Sequence, residues 1–118
     1  MNVNCGRVIF LMIAVASAAC ADHDIPKTFD CSTEAISYLD DVKPIVAQNC
    51  AISGCHNGDL GSDKDWRDFQ KLQARAGEMK RRVTLPEGAA GHMPARGSLT
   101  FDEIQTLVCW VDQGALDN

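Results

Sequence analysis

The sequence predicts a small all-α domain on three observations. Capping residues precede apolar stripes of helical period, Gly- and Pro-rich stretches separate those stripes, and no segment alternates as a strand would. With 118 residues the chain has room for one such domain and little more, and it carries no internal repeat.

The first residues fall outside that domain. Arg7 gives a short positive start, Val8 to Ala16 is an apolar run, and Ser17-Ala18-Ala19-Cys20 follows with small residues. Residues 1–19 therefore read as an export signal, with an apolar run too short to span a membrane. Cys20 after Ala18-Ala19 resembles the lipobox of bacterial lipoproteins, in which the cysteine takes lipid and becomes the new N-terminus. Ser17 stands where a Leu-like residue is usual, and Ala16-Ser17-Ala18 also satisfies the small-x-small rule for ordinary cleavage. The cysteine at the end of the signal favours lipid attachment. Residues 20–36 are polar, carry Pro26 and show no sustained apolar period, so they read as a tether to a domain at 37–118. The expected location is the periplasmic side of a bacterial membrane, with Cys20 as the anchor.

Within the domain, Asp40-Asp41 are candidate caps for a first helix, and Pro44 falls in its first turn, where a missing N–H costs nothing. Val42, Ile45, Val46 and Asn49 then lead into Cys50. A second helix is expected from about Asp65 to Val83, with Phe69, Leu72, Ala76, Met79 and Val83 on one face. Lys80, Arg81 and Arg82 complement its C-terminal dipole, while Gly77 weakens it slightly. Pro86 to Gly97 is a loop containing Gly91-His92-Met93-Pro94. The last helix has a capping box in Thr100-Phe101-Asp102-Glu103, an apolar stripe of Ile104, Leu107, Val108 and Val111, and a terminating Gly114.

Between the first two helices lies Cys50-Ala51-Ile52-Ser53-Gly54-Cys55-His56. Two nearby thiols can form thioethers to the vinyl groups of one porphyrin, and the adjoining imidazole is then placed under the iron. The common form of this motif has two residues between the cysteines; here there are four. Gly54 lets the chain turn between the thiols, and Asn57-Gly58 is a turn signal after His56. An iron held by His56 needs a sixth ligand or an open face. Met93, 37 positions further on and stiffened by Pro94, is the leading candidate, and His92 is its neighbouring rival. Met79 is explained as core by its helical spacing, and His23 in the tether as solvated.

Export places the domain where disulfides persist, and the six cysteines can then be assigned. Cys5 leaves with the signal, Cys20 takes lipid, Cys50 and Cys55 take haem, and Cys31 and Cys109 remain as a possible disulfide. The alternative is a buried free thiol at Cys109 and an exposed one at Cys31.

The chain resembles a small exported class I c-type cytochrome of the monohaem kind. The resemblance covers about 37–118 and rests on Tyr38 to Asn49, Cys50…Cys55-His56, Met93-Pro94, and the segment Leu99-Thr100…Glu103-Ile104…Leu107…Trp110-Val111-Asp112-Gln113-Gly114-Ala115. It implies a helical shell around one covalently bound haem c, with His56 and Met93 as iron ligands and electron transfer as the activity. Phe69, Leu72, Leu85, Leu99, Leu107 and Val111 are expected to line the cleft. Arg67, Arg75, Arg81, Arg82 and Arg96 are possible partners for the propionates, and Trp66 and Trp110 possible indole donors.

Loss of Arg7 leaves 10 basic residues against 16 acidic ones, formally −6. That balance argues against nucleic acid and suits a redox partner with a basic docking surface. No Ser/His/Asp set, paired-carboxylate motif or phosphate-binding loop indicates an enzyme. A Cys50–Cys55 disulfide in a stapled domain would leave His56 and the Met93-Pro94 loop unexplained, and two other readings remain open. One is a haem sensor or peroxidase-like protein with a labile sixth ligand. The other is an exported zinc- or copper-binding lipoprotein using Cys50, Cys55, His56 and His92 or Met93.

Overall fold

A computed structural model describes residues 28–118. The export signal, Cys20, His23 and the start of the tether lie outside the described residues. Among the described residues the fold is carried by helices, with one isolated antiparallel bridge, Asn57 to Asp65, and no strand. None of these helices is long and apolar enough to cross a membrane.

The first helix opens as a π-helical turn, Tyr38–Val42, and continues as α1, Lys43–Asn49, with Pro44 in its first turn. Its cap is Ser37 rather than Asp40-Asp41. The Ser37 hydroxyl accepts the Asp40 N–H at 3.1 Å, and the Asp41 carboxylate accepts the Ser37 N–H at 2.8 Å. The start shifts back because Tyr38 belongs to the core. Its ring meets Phe69 edge-on at 4.7 Å between centroids and lies 5.9 Å from Trp110.

The helix expected over Asp65–Val83 is two helices, α2 (Phe69–Ala74) and α3 (Ala76–Val83), preceded by a 3-10 turn at Ser62–Lys64. Asp65 and Trp66 are drawn away to the bridge, where the Trp66 N–H donates to the His56 carbonyl at 2.9 Å. Asp68 then caps α2 by accepting the Gln70 and Lys71 N–H groups. Arg75, at φ −109° and ψ 5°, interrupts the run. Leu72, Ala76, Met79 and Val83 are nonetheless all buried, so the two short helices share the apolar stripe of the expected long one.

The last helix, α4 (Phe101–Asp112), has its capping box: the Thr100 hydroxyl accepts the Glu103 N–H, and the Glu103 carboxylate accepts the Thr100 N–H at 2.8 Å. Ile104, Leu107, Val108, Cys109 and Trp110 are buried. Gly114 follows in the left-handed region at φ +104°, as a helix stop requires.

The chain ahead of Tyr38 is strapped along α4. Phe29 stacks on Phe101 at 5.9 Å, and the Gln113 side chain accepts the Ile36 N–H and donates to the Glu34 carbonyl, each at 2.8 Å. Asn118 accepts the Tyr38 N–H at 2.9 Å, joining the start of the first helix to the C-terminal residues. Cys31 and Cys109 are disulfide-bonded. Contacts with α4 therefore include Phe29 and Cys31, within the segment read as tether.

Candidate cofactor site

Cys50 sits at the C-terminus of α1, its N–H bonded to the Val46 carbonyl at 2.9 Å and its side chain buried. The next six residues close a compact loop. The Cys55 N–H donates to the Ile52 carbonyl at 3.0 Å and the His56 N–H to the Cys50 carbonyl at 2.9 Å. Gly54 takes a φ of +76° inside that turn, and its N–H donates to the Asp59 carboxylate at 2.8 Å. Beyond His56 the chain turns at Asn57-Gly58 and comes back. Arg67, held by Asp65 at 2.8 Å, donates to the Asn57 carbonyl at 2.8 Å. This return lays the Trp66 indole flat on the His56 imidazole, with centroids 3.7 Å apart and planes 12° from parallel.

Met93 arrives from the far side of the loop that follows α3. Its N–H donates to the Arg82 carbonyl at 3.2 Å, and the Arg82 guanidinium reaches the Gly91 carbonyl at 3.4 Å. The result is a cleft of about 260 Å³ lined by Cys50, Cys55, His56 and Met93 together. Met79 and Val83 of α3, with Ile52, Leu60, Trp66 and Pro94, supply apolar wall, and Arg82 and Arg96 stand among the polar groups. An adjoining cleft of about 270 Å³ shares His56, Trp66, Met79 and Met93 and extends to Lys64, Arg75 and Glu78.

The six residues expected as lining do not form it. Leu72, Leu99 and Leu107 are buried in the interhelical core, Phe69 and Val111 pack against that core, and Leu85 lends its carbonyl to His92. Helical stripes point at neighbouring helices, whereas this cleft is walled by loops and one edge of α3. Ile52 and Leu60, which replace them, carry one signal in the sequence: large apolar residues within otherwise polar turns. Both stay substantially exposed, at 42% and 55%.

His92 is not part of the lining; its Nδ1–H donates to the Leu85 carbonyl at 2.8 Å. The arginines also separate. Arg67 pairs with Asp65, Arg75 with Asp63, and Arg81 and Arg82 both with Glu78; of these Arg82, together with Arg96, lines the cleft, and Arg75 lines the adjoining one. Arg96 has no ion-pair partner among the described residues. The Trp110 indole donates to the Leu116 carbonyl at 2.9 Å, in the core and away from the cleft.

Burial sets the chemistry of two of these groups. It pushes the Cys50 thiol up to about 12, with the nearby Cys55 and Glu103 acting in the same direction, so the sulfur keeps its proton at neutral pH. Burial likewise pushes the His56 imidazole down from its ordinary value, which leaves a neutral ring with a free lone pair. His56 Nδ1 and Trp66 Nε1 are both buried without a hydrogen-bond partner. Each such orphan costs about 1–3 kcal/mol unless a bound group satisfies it. Two thiols, a neutral imidazole, a thioether sulfur and an apolar wall are the groups that a covalently held haem would use. Among the described residues no three His, Cys, Asp or Glu side chains gather to hold an ion.

No family model, curated protein or solved structure matches this chain.

Proposed function

We propose that this protein is an exported electron carrier with a cytochrome c-like helical shell and one covalently attached haem c. Cys50 and Cys55 would hold the cofactor, and His56 and Met93 would ligate its iron. One observation carries the reading: Met93, 37 positions from His56, shares an apolar cleft with both free thiols and the imidazole.

Each thiol would hold the haem through a thioether made by adding its S–H across one vinyl group, which needs no oxidant. When bound, haem supplies reversible one-electron exchange. The chain's own residues do the rest. His56, kept neutral by burial, offers a nitrogen lone pair, and Met93 a soft sulfur that favours the reduced iron over a second imidazole. Met79, Val83 and Trp66 exclude water, which further raises the potential. Arg82 and Arg96 are the cations suited to the propionates. Lipid on Cys20 tethers the domain to its membrane, and the acidic surface suits a partner with a basic docking face.

The test is export of the full chain from a host competent for haem attachment. The expected product is coloured and heavier by one haem that survives denaturation. A colourless product with stoichiometric zinc overturns the reading in favour of a metal-binding lipoprotein. Rapid uptake of carbon monoxide by the folded protein points instead to a sensor with a labile sixth ligand.

A further inference from the structure

We propose that Asp59 is a positioning residue for haem attachment: its carboxylate latches the four-residue insert between the cysteines so that the second thiol and His56 are presented in register with the first. The inference rests on the haem reading above and deepens it, because it explains how a widened spacing still serves one planar cofactor.

Cys50 is fixed by α1, but Cys55 hangs on whatever conformation Ala51, Ile52, Ser53 and Gly54 adopt. Inside the loop most of the backbone demand is met locally. The Ala51 N–H goes to the Val46 carbonyl, the Cys55 N–H to Ile52 and the His56 N–H to Cys50. The Gly54 N–H is tied elsewhere. It donates to the Asp59 carboxylate, five positions on, at 2.8 Å, the short range of a charge-assisted bond. That bond is also the largest influence holding the Asp59 carboxyl below the usual carboxylate range.

Asp59 is itself anchored. Its N–H donates to the Asn57 side chain at 3.2 Å, the Asn57 carbonyl is held by Arg67, and Arg67 is paired with Asp65. The insert is thus fastened to the returning segment that also brings Trp66 onto His56. Asp59 is exposed and has no ion-pair partner among the described residues, so neither core packing nor a salt bridge accounts for its placement. Two bonds must form to one rigid ring, and fixing the second thiol relative to the first converts the second addition into a favourably oriented intramolecular step.

The experiment compares wild type, Asp59→Ala and Asp59→Asn, each exported as the full chain from an attachment-competent host. Peptide mass mapping reads the share of molecules joined at both cysteines and the share joined at one. Amide exchange of Gly54 in the reduced holoprotein reads the latch itself, and circular dichroism checks that the helices are intact. In Asp59→Ala the expected result is a several-fold rise in molecules attached at one cysteine alone, with Gly54 exchange about tenfold faster, the equivalent of one modest charge-assisted bond. Asp59→Asn, whose amide oxygen still accepts the Gly54 N–H, recovers most of both properties. Wild-type attachment and wild-type Gly54 exchange in Asp59→Ala overturn the latch while leaving the haem reading intact. A wild-type chain without haem on either thiol overturns the haem reading itself.

Discussion

Cys50 and Cys55 are unlike thiols although they flank the same short insert. Cys50 is buried and its thiol sits at about 12, so at pH 8 only about one molecule in ten thousand carries the thiolate that an alkylating agent needs. In reduced, haem-free folded protein, iodoacetamide is expected to label Cys55 well before Cys50, with Cys50 reacting only on unfolding. Timed quenching and mass mapping check this, and equal labelling rates would show that α1 does not shield Cys50. Met93 carries a prediction of a different kind. In the haem-loaded protein, Met93→Ala should lower the reduction potential and remove the sulfur-to-iron charge-transfer band of the oxidised state. If both are unchanged, the sixth ligand is another group.

The helices differ in how openly the sequence declares them, and α4 is the plainest. Its start is marked by a reciprocal cap, its body by an apolar stripe and its end by Gly114, all local features readable within fifteen residues. Thr100→Ala removes a hydroxyl that accepts the Glu103 N–H and is expected to cost about 1 kcal/mol, seen as a lower denaturation midpoint with unchanged slope. A variant as stable as wild type would mean that solvent caps α4 equally well. The break between α2 and α3 was not legible, because residues 69–83 keep one continuous helical stripe and only Gly77 hints at weakness. Where the second helix begins depends on Trp66 being claimed by the His56 carbonyl, a pairing with no periodic trace in sequence. The site divides the same way. Cys50, Cys55, His56 and Met93 could be singled out by residue identity, and the structure brings all four to one cleft. Its walls could not be, because loop placement rests on single backbone bonds such as Met93 to Arg82.

At the largest scale, the described residues are closed by contacts between residues 29–38 and the C-terminal segment. The pairing of Cys31 with Cys109 could be reached by assigning the other cysteines, but the Gln113 and Asn118 clamps could not, since lone amides bonding across about eighty residues leave no pattern. Acid should loosen the surface before the core. Asp65 beside Arg67, and Glu78 between Arg81 and Arg82, are each held at about 2, so their stabilisation is present above the ordinary carboxylate range. It is lost as pH falls from about 4 toward 2. Denaturation followed between pH 5 and 2 tests this, and a flat profile would mean that these exposed pairs contribute nothing. The disulfide governs a larger quantity. It joins residues 78 apart, and in the chain-entropy model a loop of that length removes roughly 4 kcal/mol of disorder from the unfolded chain. The double variant Cys31→Ala/Cys109→Ala keeps the Gln113, Asn118 and Phe29 contacts that seat the strap, so its native helices should persist. Its thermal midpoint should nevertheless fall by roughly 15–30 °C, the shift that about 4 kcal/mol produces in a domain of this size. A fall of only a few degrees would locate the strap's stability in those non-covalent contacts, and a loss of helical signal at low temperature would make the crosslink a condition of folding itself.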